Sequence, residues 1–130
     1  MTKVSIDTNM RRPSNKELFD KLRQALIAAQ NGQVFLLDQD TLAEDAIELG
    51  YSIEEELLEV LIELLKEAGV VDYSGSLPPQ RSYKDEIQNL ELFPFSPHST
   101  RFDGRVYLKF AIHGGSLWLV SLHKDRPPKE

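Results

Sequence analysis

Two apolar-rich segments near the C-terminus constrain the fold of this 130-residue chain more than any other feature. Residues 105–112 and 116–123 flank the sequence His113-Gly114-Gly115. Two such segments on both sides of a glycine-containing turn predict a β-hairpin. A hairpin with one apolar face is at best marginally stable alone in water, so the rest of the chain must cover that face.

The register of the hairpin follows from its side-chain pattern. A three-residue loop gathers large apolar side chains on one face, whereas a two-residue loop puts Ser121 and His123 opposite apolar residues. Because a change of one residue moves every side chain to the other face, we predict the three-residue loop. The covered face then carries Val106, Leu108, Phe110, Trp118, Val120 and Leu122. The opposite face, which we call the polar face, carries Arg105, Tyr107, Lys109, Ser121 and His123, with Leu119 beside them.

Three helices are predicted in the first half of the chain from N-terminal capping signals followed by glycine stops. The capping residues are Ser14, Thr41 and Ser52, and the glycine stops are Gly32, Gly50 and Gly69. Apolar residues recur between them at helical spacing, and the first helix is expected over about residues 15–30. Residues 34–37 form an apolar run of ambiguous type. Residues 90–95 predict a strand, which Pro94 confines to a sheet edge or a strand end.

These elements predict an α+β fold, in which N-terminal helices pack on one face of a small antiparallel sheet that ends in the C-terminal β-hairpin. We expect a single domain over residues 14–125. Residues 1–13 are predicted to be a flexible tail, and residues 126–130 a second tail.

Composition excludes several classes of protein. The chain has no cysteine, so disulfides and thiolate chemistry are absent. No apolar run approaches the length of a membrane span, and no signal peptide is recognisable, so we expect a soluble cytoplasmic protein without a membrane partner. The net charge of −6 argues against nucleic-acid binding by bulk positive charge. The charge is uneven, because residues 38–67 hold eleven acids and one base whereas residues 101–130 hold six bases and three acids.

The polar face is the one group of residues that suggests chemistry. Arg105 and Lys109 donate hydrogen bonds to anions, Tyr107 donates or accepts, and the imidazole of His123 is suited to proton transfer near neutral pH. Without a metal or a nucleophilic side chain, this set suits RNA cleavage, in which the substrate's own 2′-hydroxyl attacks. The simpler interpretation is a sheet face that points to water. The three histidines lack ligand spacing and no glycine-rich phosphate loop occurs, so we predict no metal site and no cofactor.

Four short segments occur in an order that resembles a known family. Residues 49–52 (Leu-Gly-Tyr-Ser) open an apolar helix, and residues 72–75 (Asp-Tyr-Ser-Gly) precede a proline-containing loop. Residues 105–109 (Arg-Val-Tyr-Leu-Lys) and 121–123 (Ser-Leu-His) follow in the hairpin. This order resembles the motility quorum-sensing regulator (MqsR) type of toxin from bacterial toxin–antitoxin pairs, over about residues 33–125.

The resemblance implies a RelE-like α+β fold, cleavage of mRNA as an endoribonuclease, and neutralisation by a cognate antitoxin. It implies catalytic roles for Tyr107, Lys109 and His123, and Ser74 stands where the family has a further lysine. Beside them, Arg105, Lys124 and Arg101 are predicted to bind RNA.

Other functions remain open at this point. The chain could be a non-catalytic RelE-like module that binds a basic partner through its acidic third helix. It could also bind a small ligand between helices and sheet. The apolar stripe of the third helix is core, or part core and part of a homodimer surface.

Overall fold

A computed structural model describes residues 12–76 and 79–126 of the chain. Its helices and strands, in chain order, are α1 (Asn15–Gln30), β1 (Val34–Leu36), α2 (Gln39–Leu49), α3 (Ile53–Glu67), β2 (Phe93–Phe95), β3 (His98–Ser99), β4 (Gly104–His113) and β5 (Ser116–Lys124). Two short 3-10 helices, Val70–Asp72 and Asp85–Ile87, lie between α3 and β2. The predicted α+β class is confirmed.

The sheet is mixed, and this corrects the prediction of an antiparallel one. Its strands run in the order β1-β5-β4-β2, and β3 pairs separately with β4. The ambiguous run at residues 34–37 contains β1, which lies parallel to β5 in a register that pairs Phe35 with Trp118. The proline-containing strand β2 lies at the sheet edge, as predicted.

The helix starts follow the capping rule, although one cap is not the predicted residue. The hydroxyls of Ser14 and Ser52 accept from the backbone N–H groups three residues further on, as predicted. Helix α2 begins earlier than expected because Asp38, and not Thr41, is its cap. The Asp38 carboxylate accepts from both the backbone N–H and the hydroxyl of Thr41, so it satisfies two donors where a Thr41 cap satisfies one.

The hairpin register differs from the prediction in the half next to the turn. Gly114 and Gly115 form a two-residue turn with φ values of 60° and 77°, and His113 pairs with Ser116. Two residues with positive φ are what a tight hairpin turn requires, and glycine adopts that conformation without strain. The predicted three-residue loop is therefore wrong.

A β-bulge restores the predicted faces in the other half of the hairpin. Phe110 pairs with Leu119 but Lys109 pairs with Ser121, so β5 has one extra residue at this point. Beyond the bulge, Leu122 returns to the face of Leu108. A constant period of two along both strands predicts no such bulge, and the extra residue breaks that period.

The shift in register exchanges three residues between the two faces. Leu119, expected beside the polar residues, is fully buried under the helices. Trp118 and Val120, expected under the helices, are only half-buried and lie on the opposite face. The Trp118 ring stacks on Phe35 with centroids 4.6 Å apart.

All three helices pack on one face of the sheet and form the main core with it. The sheet contributes to this core Phe93, Phe95, Val106, Leu108, Phe110, Leu117, Leu119 and Leu122. The opposite face is covered in part by residues 79–92, where Ile87 and Leu92 pack against Ala111, Trp118 and Val120. The rest of that opposite face is the polar face.

The predicted tails lie mostly outside the described residues, which leave out residues 1–11 and 127–130. Pro13 is buried, and the Arg12 guanidinium donates to the Val70 carbonyl at 3.2 Å. At the other end, Arg126 lies 3.7 Å from the Asp45 carboxylate. Within the described part of the chain, no helix is long and apolar enough to cross a membrane.

Candidate functional site

The polar face brings together the three residues that were predicted to be catalytic. Tyr107 pairs with His123, and Lys109 pairs with Ser121. Cross-strand partners point to the same side of a sheet, so these four side chains form a block on the face opposite the helices. Their placement on one face is confirmed, although the partners differ from those of the predicted register because of the bulge.

The side chains within this block are in contact. The rings of Tyr107 and His123 stack with centroids 5.0 Å apart and an interplanar angle of 20°. The Lys109 ammonium lies 6.0 Å from the centroid of the Tyr107 ring. It also donates a hydrogen bond of 3.2 Å to the Gln80 side-chain oxygen. The tyrosine ring is therefore flanked by an imidazole and an ammonium group.

Partial burial changes the proton affinities of two of these groups. Burial raises the pKa of the Tyr107 phenol, and the nearby Asp125 carboxylate raises it further. Burial lowers the pKa of the Lys109 ammonium. Both shifts arise because a charged form is less stable away from water. Tyr107 thus remains a hydroxyl donor at neutral pH, whereas Lys109 releases its proton more readily than a lysine in water.

The orientation of the imidazole determines which of its nitrogens is available. The His123 Nδ1 atom lies 2.6 Å from the Lys124 carbonyl oxygen. A carbonyl oxygen only accepts, so Nδ1 carries the proton in this contact and donates it. The Nε2 atom is left to accept or release a proton, as a general acid–base catalyst must.

The polar face extends across the edge strand to the loop after α3. Tyr73 forms a bridge with Phe95, Ser74 N–H donates to the Pro94 carbonyl at 3.0 Å, and Ser96 N–H donates to the Asp72 carbonyl at 2.8 Å. Through this pairing, Asp72 and Ser96 lie on one line across the strands with Tyr107 and His123. Ser74 lies on the next line across the strands, which also contains Lys109, and Pro94 stands between these two residues. Ser74, which stands where the predicted resemblance implies a lysine, thus lies at the rim of the same face.

Arg105 stands beside this block and is held by two oxygen groups. Its guanidinium donates to the Ser96 carbonyl and lies 3.5 Å from the Asp72 carboxylate. The side chain is still 58% exposed. It is therefore positioned but open to an anion from solvent.

The other two residues predicted to bind RNA lie elsewhere. The Arg101 guanidinium contacts three carboxylates of α3 at 2.8–3.1 Å, from Glu56, Glu59 and Glu63. Its hydrogen bond lowers the pKa of Glu63, and the carboxylates raise the pKa of Arg101. Lys124 pairs with the buried Val106, so the alternation of the strand directs it to the helix side. Arg101 and Lys124 therefore do not join the polar face.

Sequence reasoning missed three residues of the site. Gln80 reaches Lys109 from the segment of residues 79–92, which folds back on itself through a bridge between Arg81 and Glu91. Asp72 and Ser96 reach Arg105 through the pairing of the chain after α3 with β2. All three depend on contacts between distant segments, and no local pattern marks them.

The arrangement suits the binding of an anion and the transfer of protons. It offers cationic donors in Arg105 and Lys109, a hydroxyl in Tyr107 and a titratable imidazole in His123. Among residues 12–76 and 79–126, no group of three or more His, Asp or Glu side chains is placed to hold a metal ion.

Comparison with known proteins adds no assignment. No protein-family model matches the chain, and no curated protein is significantly similar to it. The resemblance to MqsR-type toxins stays a prediction that rests on the four segments quoted above.

Proposed function

We propose that the polar face binds single-stranded RNA and cleaves it with the substrate's own 2′-hydroxyl as nucleophile. The observation that carries the proposal is the contact between Tyr107 and His123, with Lys109 next to the tyrosine ring. This reaction requires proton transfer and the stabilisation of negative charge on the phosphate. The imidazole, the phenol hydroxyl and the ammonium group can provide both, and they lie around one tyrosine ring.

The reaction balances without an external co-reactant. A base takes the proton of the 2′-hydroxyl, and the 2′-oxygen forms a bond to the adjacent phosphorus. The bond from phosphorus to the 5′-oxygen breaks, and this oxygen takes a proton from an acid. The products are a 2′,3′-cyclic phosphate and a 5′-hydroxyl.

Each residue of the site has a role in this scheme. Nε2 of His123 is the base that takes the proton of the 2′-hydroxyl, since Nδ1 is engaged with the Lys124 carbonyl. Tyr107 orients the scissile phosphate through its hydroxyl and donates the proton that the leaving 5′-oxygen takes. Arg105 and Lys109 hold the phosphate and stabilise the charge that develops on it.

The distribution of charge supports an anionic substrate at this face. The acids of α3 lie in the helix layer on the other side of the sheet, and three of them are paired with Arg101. An RNA strand on the polar face is thus separated from the acids of α3, and the carboxylates near it are Asp72, which lies 3.5 Å from the Arg105 guanidinium, and Asp125. In a toxin–antitoxin pair, a cognate antitoxin would neutralise this activity in the cytoplasm.

The test is cleavage of single-stranded RNA by the purified protein and its variants. We expect His123→Ala and Tyr107→Phe each to slow cleavage by about 10²–10⁴-fold, as is typical for loss of a proton-transfer group. Tyr107→Phe keeps the ring that stacks on His123 and removes only the hydroxyl. His113→Ala, which removes an exposed histidine from the hairpin turn, is the matched control and should cleave at the wild-type rate. A wild-type protein that does not cleave RNA would refute the proposal and leave the face as a binding surface.

A further inference from the structure

A pocket of about 230 Å³ opens beside Lys109, on the same side of the sheet as the polar face. It lies between the start of α2, the segment of residues 79–92 and strand β5. Lys109 and Ser121 belong both to its lining and to the polar face. A phosphate at Lys109 therefore lies at the edge of this pocket, within reach of a base of the same strand.

We propose that this pocket binds one unpaired nucleobase of the RNA strand, next to the phosphate that is cleaved. The position of the base next to the cleaved phosphate rests on the proposed function, whereas binding of a base in the pocket can be tested without cleavage. Sequence-specific recognition of RNA typically uses such a pocket, into which a base is turned out of the strand.

The size of the pocket fits one base and no more than a nucleoside. Pockets for drug-sized ligands measure about 300–1,000 Å³, so this pocket takes a smaller molecule. Its apolar wall is formed by Leu37, Leu92 and Val120, which suits the faces of an aromatic ring. Mixed apolar walls and polar groups are the usual composition of a ligand site.

An aromatic side chain stands at the rim of the pocket. Tyr83 lines it, yet 81% of the residue is exposed, an unusual exposure for a large ring. The Lys84 ammonium lies 5.7 Å from the centroid of this ring. An exposed ring with a cation beside it is the arrangement on which bases of single strands stack.

A fixed carboxylate provides the polar contact for the base. The oxygens of Asp38 accept from the Thr41 backbone N–H at 3.2 Å and from the Thr41 hydroxyl at 2.9 Å. These bonds lower the pKa of Asp38, so it is a charged group that only accepts. Each oxygen retains further acceptor capacity. Cytosine can donate to it from an exocyclic amino group, whereas uracil offers only the N–H of its ring.

Cytidine and uridine are matched probes for this site because they differ in the amino group but hardly in size. We expect a titration followed by the backbone amide signals to shift Thr41, Gln80 and Ser121, and to show cytidine binding about threefold more tightly than uridine, as one hydrogen bond to an exposed carboxylate allows. Neither nucleoside carries a phosphate, so binding at Arg105 does not contribute.

Two pairs of variants separate the roles of the carboxylate and the ring. Asp38→Asn keeps a good helix cap but adds a donor, so it should remove the preference for cytidine. Asp40→Asn removes the same charge from the same helix turn outside the pocket and should keep it. Tyr83→Ala should weaken both nucleosides by roughly tenfold, whereas Tyr83→Phe should bind as the wild type does.

The outcomes distinguish the pocket from the proposed cleavage. Equal binding of the two nucleosides, shifts outside the pocket, or an unchanged preference in Asp38→Asn would each overturn the pocket proposal, even if the protein cleaves RNA. Binding in the pocket by a protein that cleaves no RNA would refute the proposed function and leave the pocket as a nucleoside site.

Discussion

Adjacent residues of β5 provide a direct test of the hairpin register. Leu119 has 0% exposure in the main core, whereas its neighbour Val120 is half-buried and lines an open pocket. Replacing a fully buried leucine by alanine removes apolar contacts and leaves a cavity, which costs about 2–5 kcal/mol. Val120→Ala removes two methyl groups from a partly exposed site that leaves no closed cavity, so we expect about 1 kcal/mol.

The assay is equilibrium unfolding in urea of the wild type, Leu119→Ala and Val120→Ala. If the slope of the transition is unchanged, the shift of the midpoint measures the change in the free energy of unfolding. Without the bulge, a three-residue loop buries Val120 and exposes Leu119, so it predicts the opposite order. A larger loss for Val120→Ala, or equal losses, would refute the two-residue turn and the bulge.

Three further predictions concern charge and backbone conformation. The Arg101 hydrogen bond lowers the pKa of Glu63 in the folded state, so this stabilisation is present at neutral pH and is lost as the pH falls through the carboxyl range. Arg101→Gln should therefore reduce the fall in the free energy of unfolding between about pH 5 and pH 3, and an unchanged pH dependence would contradict this. Gly115→Ala should cost about 1–2 kcal/mol because φ is +77° there, and an effect no larger than that of Gly104→Ala would count against the turn. The Lys109 side chain should titrate below about 10.4 when followed by NMR, because burial lowers its pKa, and a midpoint at or above that value would exclude this burial.

The elements that could be predicted from sequence are those with a local physical signal. Ser14 and Ser52 cap their helices with hydroxyls that reach backbone groups three residues away, so the pattern and the contact coincide. The α2 start was mispredicted because Thr41 matches the capping-box pattern, while the nearby Asp38 makes the stronger contact. The apolar run that contains strand β1 is too short to distinguish a strand from a helix, and its partner β5 lies far along the chain.

The polar residues of the polar face share one face as predicted, although Leu119 does not lie beside them and the register differs from the prediction. The turn has one residue fewer than expected and the bulge adds one to β5, so Tyr107, Lys109 and His123 keep their face while their partners change. Between the turn and the bulge, the register differs from the prediction by one residue, so Trp118 and Leu119 exchange faces there. An alternating pattern therefore predicts which residues share a face only within a stretch of strand that contains no bulge.

The pocket beside Lys109 could not be predicted, because its walls come from four separate parts of the chain. Asp38 caps helix α2, Val120 belongs to β5, and Tyr83 lies in a segment whose sequence is polar. Only the packing of residues 79–92 on the sheet brings them together.

The central claim is that the polar face cleaves RNA through the substrate's 2′-hydroxyl, and a modified substrate tests it most directly. The cleavage site is first mapped on a single-stranded RNA, and the same strand is then made with 2′-deoxyribose only at the nucleotide before the cut. We predict cleavage of the unmodified strand to a 2′,3′-cyclic phosphate and no cleavage at the deoxy position. Cleavage of the deoxy strand at the same position and rate, or no cleavage of either strand, would contradict the account.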